Sequence, residues 1–349
     1  VEHLIPESLV AGLPQWALLA ITAVAIFVLI KGADWLVDAA ASLARRAGIA
    51  PVIVGATVVS IGTTSPEAAV SVMAAWAGQP GLALGNAIGS VIADTALIFG
   101  VCCLLVELPA DRFILSRQGW VQAGSAALLG AVCYGAYAAS GDEAAIGRWV
   151  GVAFLALLAG YLYLSVYWNK QHPTPEVEDD VAAHAAHTDT AIPLLLLLGL
   201  AGIIVVILSS RVLILSVSEL AAVHWHVPEV VIAGTLVALG TSLPEFVVGL
   251  TSVRRRQYGL LVGNVIGADV LNVLFVIGAS AAAAPLPIID KASDIPAIAL
   301  LLHLPAMLLI LAMFRVWIAM ACRRGRFSRW MGIPLVASYV LYTATQYLL

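Results

Sequence analysis

Apolar positions along this chain fall in long unbroken runs, not in alternation. Runs near 16–37, 50–76, 81–106, 118–139, 146–168, 191–216, 227–253, 258–282, 294–315 and 328–349 each approach the about 20 residues a helix needs to cross a bilayer. The short alternating segments of a membrane barrel are not seen, and helices are the other fold that satisfies its own backbone in lipid. The pattern predicts an all-α integral membrane protein of about ten transmembrane helices. The longest polar stretch, Asn169 to Thr190, predicts a first five-helix half over 1–168, a linker over 169–190 and a second five-helix half over 191–349.

The halves share a repeat. Residues 54–100 align without a gap on 232–278, and Thr63 with Thr241, Glu67 with Glu245, Gly85 with Gly263 and Asn86 with Asn264 all stand 178 residues apart. Five spans per half is an odd number, so equivalent helices run in opposite directions through the membrane. Such inverted repeats place transport sites near the midplane, commonly on broken helices.

Composition agrees with the span pattern. Of 349 residues 62% are hydrophobic and 11% charged, with a mean hydropathy of +1.00, against roughly 25% charged residues in a soluble domain. Net charge is −4, with no basic tract to suit nucleic acid. Cys102, Cys103, Cys133 and Cys322 lie in or beside spans without metal-ligand spacing, which points to packing. Residues 1–15 lack a basic segment and a cleavage signal and read as a lead-in to the first span. Arginine and lysine concentrate in alternate connections (Arg45 and Arg46; Arg112 and Arg117; Lys170; Arg254 to Arg256; Arg315 to Arg329), whereas the others hold only Arg148 and Lys291. By the positive-inside rule both termini lie outside a cell (inner) membrane and the linker is cytoplasmic. The linker's His172, His184 and His187 with neighbouring acids read as a solvated segment, not a metal site.

Two sequence features carry chemistry. "GTTSPE" (Gly62 to Glu67) and "GTSLPE" (Gly240 to Glu245) each put a helix-breaking proline beside an acid within an apolar run. The break frees backbone carbonyls, and the acid opens the following half-helix, where the dipole favours a carboxylate. An ionisable group at such depth is a functional candidate by default. Next, Gly81, Gly85 and Gly89, like Gly259, Gly263 and Gly267, form a smooth stripe for close helix contact. Beside it run Asn86, Ser90 and Asp94, matched by Asn264, Ala268 and Asn272.

Pooled, the halves offer Glu67, Glu245 and Asp94 as carboxylates and Thr63, Thr64, Thr241, Ser242, Ser90 and Asn272 as neutral oxygen donors. An all-oxygen set suits a hard cation, Ca²⁺ better than Mg²⁺. Crowded carboxylates cannot all stay ionised unless cations bind, so Na⁺, Ca²⁺ and protons would compete for one site. No bound cofactor is expected; the partners are Ca²⁺, Na⁺, H⁺ as a rival coupling ion, and membrane lipid. No metalloprotease or serine-hydrolase motif points to an enzyme.

At these motifs the chain resembles the sodium/calcium exchanger family of the cation/Ca²⁺ antiporter superfamily, whose two repeats carry G-T-S-x-P-E and G-N-x-x-G-S-N. The resemblance implies alternating-access exchange of Ca²⁺ for Na⁺. It implies Glu67, Glu245, Thr63 and Thr241 for calcium, and Thr64, Ser242, Ser90, Ser60 and Ala238 for sodium. It also implies that the first span of each half, near 31–42 and 211–222, slides against the core; Asp34, Asp38 and Glu219 on these spans would line an access path or make structural contacts. The chain departs from the pattern at Ser90-Val91 and Ala268-Asp269. Ala268 has no side-chain oxygen, so one sodium site is weakened or replaced. Asp269 is either an interhelical hydrogen-bonding partner or a relocated ligand. The acid–amide pair Asp94 and Asn272 is one that family members can carry the other way round. A Ca²⁺/H⁺ exchanger on the same carboxylates and, further off, a cation channel are the alternatives.

Overall fold

The computed structural model describes residues 10–171, 191–224, 240–289 and 297–348; residues 172–190 of the linker and the first part of the run near 227–253 fall outside them, and helix continues through the first three linker positions. The first half comprises α1 (Gln15–Ala47), α2 (Pro51–Thr63), α3 (Ser65–Trp76), α4 (Pro80–Leu105), α5 (Arg112–Ser140) and α6 (Arg148–Gln171). The second comprises α7 (Ile192–Glu219), α8 (Leu243–Arg254), α9 (Tyr258–Ala283), α10 (Ala299–Arg324) and α11 (Gly332–Leu348).

Among the described residues, α1, α4, α6, α7, α9 and α10 are long and apolar enough to cross a membrane, and α2 with α3 forms a further span bent by 45°. Helix α5 is long but carries the buried polar residues Gln118, Gln122 and Ser125. It starts at Arg112, ahead of its apolar run, because the Asp111 side chain caps it by accepting from the backbone N–H of Phe113 (2.7 Å) and Ile114 (3.1 Å).

The repeat in the sequence is a repeat in space. Helices α3 and α8 have the same bounds after a shift of 178 residues, as do α4 and α9. Four two-residue strands show the halves interlocked: β1 (Leu108–Pro109) pairs antiparallel with β4 (Arg326–Phe327), and β2 (Ala145–Ile146) with β3 (Leu286–Pro287). Strands β1 and β3 are repeat equivalents, and each pairs with a strand of the opposite half.

Burial separates centre from periphery. The best apolar window of α9 is 94% buried and that of α4 72%, against 22% for α6 and α7 and 28% for α1. Helices α4 and α9 are therefore the central pair. The outer faces of α1 and α7, with Phe27, Leu196 and Leu197 exposed, suit contact with lipid.

Helices α1 and α7 pack along each other in opposite directions. Thr22 Oγ1 lies 3.0 Å from Ser216 Oγ near one end, and Gly199 approaches Ala39 toward the other. They cross at glycines: a Cβ on Gly202 would lie 2.8 Å from Leu36 N, and one on Gly32 2.7 Å from Val205 Cγ1. Small residues let two backbones approach where lipid offers no hydrophobic drive.

Candidate functional site

The bent span α2–α3 breaks at a single residue, Thr64. Thr64 (φ −83°, ψ −4°) and its equivalent Ser242 (φ −87°, ψ 6°) precede half-helices that start with Pro66 and Pro244 in their first turn. A proline there loses nothing, since the first N–H groups of a helix have no partner within it. Glu67 and Glu245 follow in the same first turns, at the positive ends of α3 and α8. Both carboxylates are buried, with 0% and 1% of their surface exposed.

Helices α4 and α9 loosen into π-helical turns at Ala93–Phe99 and Asn272–Ile277, a distortion frequent at functional sites. Asp94 and Asn272 sit at the start of these turns, are equivalent under the repeat, and touch: Asn272 Nδ2 donates to Asp94 Oδ2 at 3.3 Å.

Neutral donors close around the acids. Thr64 Oγ1 donates to Glu245 Oε1 at 3.3 Å, and Ser242 Oγ donates to Ser90 Oγ at 3.2 Å. The equivalent of that serine pair would join Thr64 to position 268, where Ala268 has no hydroxyl, and Thr64 turns to the glutamate instead. The departure noted in the sequence thus has a geometric consequence.

Two residues outside the predicted set hold the threonines. Thr63 Oγ1 donates to Asn264 Oδ1 at 3.4 Å, and Thr241 Oγ1 donates to Asn86 Oδ1 at 3.3 Å, the same contact exchanged between halves. Asn86 Nδ2 also donates to Ser71 Oγ (3.0 Å) and to the Glu67 carbonyl (3.4 Å). The signal was the asparagine after each stripe glycine, present in both repeats. Ser60 Oγ donates to the carbonyls of Gly55 (2.7 Å) and Asn264 (3.0 Å), which ties α2 to α9. Ala238 lies outside the described residues.

Asp269 faces a different neighbourhood. Its Oδ2 accepts from Gln122 Nε2 at 2.5 Å and from Thr95 Oγ1, so it bonds α9 to α4 and α5. The interhelical role is thereby observed; Oδ1 stays without a partner.

The chemistry left over is specific. Both oxygens of Glu67, Oε2 of Glu245, Oδ1 of Asp94 and Oδ1 of Asn272 are buried with no hydrogen-bond partner among the described residues. Burying unpaired charge is costly, and these atoms are acceptors only, drawn from both halves. No group of three or more His, Cys, Asp or Glu side chains among the described residues forms a metal cage alone. A cation here would need the neutral oxygens as well, which suits a hard ion and not zinc.

The two faces of the protein differ. A cavity of about 450 Å³ reaches Asn86, Ser90 and Thr241 between α4, α7 and α11. Its lining extends to Leu82 near the start of α4 and Gln346 near the end of α11, toward the face where α1 begins and α7 ends; we call this the terminus face. Toward the opposite, linker face, Asp34 and Asp38 of α1 are buried and paired with the end of α8. Asp34 meets Arg254 and, at 3.2 Å, Arg255, whose Nη2 is also 3.2 Å from Asp38 Oδ2. These acids make structural contacts in this conformation. Glu219 accepts at 2.9 Å from Gly12 N at the terminus face.

The sequence profile of the sodium/calcium exchanger protein family matches residues 17–167 and 194–348. CaxA of Alkalimonas amylolytica is 33% identical over 273 residues, 77% of this chain and 82% of that one. The sodium/calcium exchanger MaX1 of Methanosarcina acetivorans is 27% identical over 342 residues, 90% and 94% of the two chains. Among solved structures, the sodium-calcium exchanger NCX_Mj, soaked with Na⁺ and Sr²⁺, superposes with a TM-score of 0.76 at 23% identity, covering 95% of this chain and 99% of that one. That likeness shows a shared fold.

Proposed function

Because the chain belongs to the sodium/calcium exchanger protein family, a family of membrane ion exchangers, we propose that it is a secondary antiporter exchanging Ca²⁺ for Na⁺ by alternating access. Glu67, Glu245 and Asp94 supply the charge, and Thr63, Thr64, Thr241, Ser242, Ser90 and Asn272 the neutral oxygens. Ser60 contributes through backbone or packing, since it spends its hydroxyl on carbonyls; Ala238, a sodium-site residue by the resemblance, has no side-chain oxygen. The observation that carries the reading is the set of buried, unpartnered carboxylate and amide oxygens contributed by both halves.

A cation in that centre offsets the cost of three buried acids, and either Ca²⁺ or Na⁺ can do so. Competition for one site is what makes exchange obligatory: the empty, negatively charged centre is the costly state. The terminus-side cavity and the ion-paired linker side suit a conformation open to one face. Sliding of the α1–α7 pair over the glycines at its crossing, with rupture of the Asp34 and Asp38 pairs, would open the other. The linker is cytoplasmic and the termini lie outside in this reading.

One observation favours a second coupling ion. With Ala268 opposite Thr64, one neutral oxygen is missing from a flanking sodium position, and a proton on a carboxylate could replace that sodium. Purified protein in liposomes decides between them. Ca²⁺ uptake driven by an outward Na⁺ gradient at clamped pH is expected; uptake driven only by a pH gradient, without Na⁺, would overturn sodium coupling.

A further inference from the structure

The cavity on the terminus face is the way by which a cation would reach the glutamates in this conformation, yet the charge on its wall has the opposite sign to the one expected. Arg211 lines it, beside Asn86, Ser90 and Thr241; among the described lining residues there is no Asp or Glu. Its Nε is buried without a hydrogen-bond partner, and no described carboxylate pairs with it. An arginine within a span is costly and is retained where it serves a pathway or a counter-charge. Here no counter-charge is found among the described residues.

The repeat isolates the effect to one face. The equivalent of Arg211, 178 residues earlier, is Ala33. The helix that would border the linker-side approach carries Asp34 and Asp38 instead, paired in this conformation with Arg254 and Arg255. Among the described residues, α7 thus places an unpaired positive charge on the terminus-side cavity wall, whereas α1 places two ion-paired acids toward the linker face.

We propose that Arg211 is a specificity-determining residue of this transporter: its fixed positive charge lowers the affinity of the terminus-facing site for Ca²⁺ more than for Na⁺. This rests on the exchanger reading above. The physical reason is that the repulsion scales with the charge of the ion in a cavity whose apolar walls screen poorly. Whatever factor Arg211 imposes on a monovalent ion is squared for a divalent one. Asymmetric affinity cannot alter the equilibrium of exchange, which the ion gradients set. It fixes the concentration at which each face saturates, and here it favours release of Ca²⁺ at the terminus face against Na⁺ entering there.

The test uses the full chain in vesicles of known orientation, with half-saturating Ca²⁺ and Na⁺ measured on each face for wild type, Arg211→Gln and Arg211→Lys. A factor of about three for Na⁺ on removing the charge corresponds to about nine for Ca²⁺. Arg211→Gln is expected to lower half-saturation on the terminus face in that ratio and to leave the linker face unchanged, and Arg211→Lys to behave like wild type. Equal shifts for both ions, shifts on both faces, a lysine variant that behaves like glutamine, or no shift would overturn the proposal. If the glutamine variant fails to accumulate, Arg211→Met gives the same comparison. Wild-type protein without any cation-driven Ca²⁺ flux would overturn the exchanger reading itself, whereas intact wild-type flux with no effect of Arg211→Gln overturns only the role of the arginine.

Discussion

Replacing Gly263 by alanine sets two effects against each other, and the contact between α9 and α2 decides which wins. Within a helix, alanine is more favourable than glycine by about 1 kcal/mol. At Gly263 the added methyl would lie 2.0 Å from the Val52 carbonyl oxygen, 2.8 Å from its carbon and 2.9 Å from its Cα. All three atoms are backbone and cannot rotate away, so reaching ordinary contact means parting the helices by on the order of 1.5 Å. Such overpacking costs about 1–3 kcal/mol, and immobile opposing atoms put this site toward the upper end. The expected net loss is about 1–2 kcal/mol. The displacement also pulls Asn264 away from Thr63 Oγ1, now at 3.4 Å, and from Ser60 Oγ, whose bond to the Asn264 carbonyl is 3.0 Å. Transport should therefore fall further than stability. Thermal unfolding in detergent, followed by tryptophan fluorescence, and Na⁺-driven ⁴⁵Ca²⁺ flux read the two effects. Gly160→Ala, at an exposed position on α6 with nothing within 4 Å, is the control and should lose neither. A Gly263→Ala protein as stable and as active as wild type would refute the argument that this glycine sets the distance between the helices.

Three further outcomes are expected. Ala268→Ser restores the hydroxyl opposite Thr64 and, at about 1 kcal/mol for one added oxygen contact, should lower half-saturating Na⁺ about fivefold; an unchanged Na⁺ dependence in ²²Na⁺ flux would show that position 268 does not face a sodium site. Arg254→Gln with Arg255→Gln removes partly exposed guanidinium groups, 55% and 36% exposed, and so takes both ion-pair partners from the buried Asp34. The equilibrium should shift by about 1–3 kcal/mol toward a linker-open state, seen as faster labelling from the linker side of a cysteine placed at Ser42, and unchanged labelling would exclude a latch. Arg256 holds φ 58°, where its repeat equivalent is Gly78 at φ 74°; Arg256→Gly should raise the unfolding midpoint by relieving about 0.5–1 kcal/mol of backbone strain, net of glycine's entropy, and a lower midpoint would mean the arginine side chain contributes more than that strain costs.

Much of this architecture was legible because membrane folding writes itself into sequence at long range. The 178-residue offset between Glu67 and Glu245 recurs in the bounds of α3 and α8, and the first proline-acid pair marks the break between α2 and α3. The contact between Asp94 and Asn272 follows from their equivalence, since two residues near a pseudo-twofold axis meet each other. What was not legible lies in contacts without a periodic signal. Asn86 and Asn264 read as part of a polar stripe, but that each holds the other half's threonine depends on how closely α2 and α9 approach. The partners of Asp269, Thr95 and Gln122, come from separate helices, and Gln122 has no place in the repeat motifs. The pairing of Asp34 and Asp38 with Arg254 and Arg255 was hidden because the arginines read only as an orientation signal. Arg211 falls in the apolar run near 191–216, but its place on the cavity wall needed the packing of α7 against α4 and α11.

The central claim is that the twin acids at the helix breaks bind the transported ions together. Its most direct test is Na⁺-gradient-driven ⁴⁵Ca²⁺ flux through Glu67→Gln and Glu245→Gln proteins in liposomes, after matched unfolding curves show that both variants fold. Each substitution keeps the shape of the side chain and removes one negative charge from a centre where Glu67 offers two unpartnered oxygens and Glu245 one. Loss of Ca²⁺ flux in both variants is the predicted result, and full exchange in either would contradict a shared site.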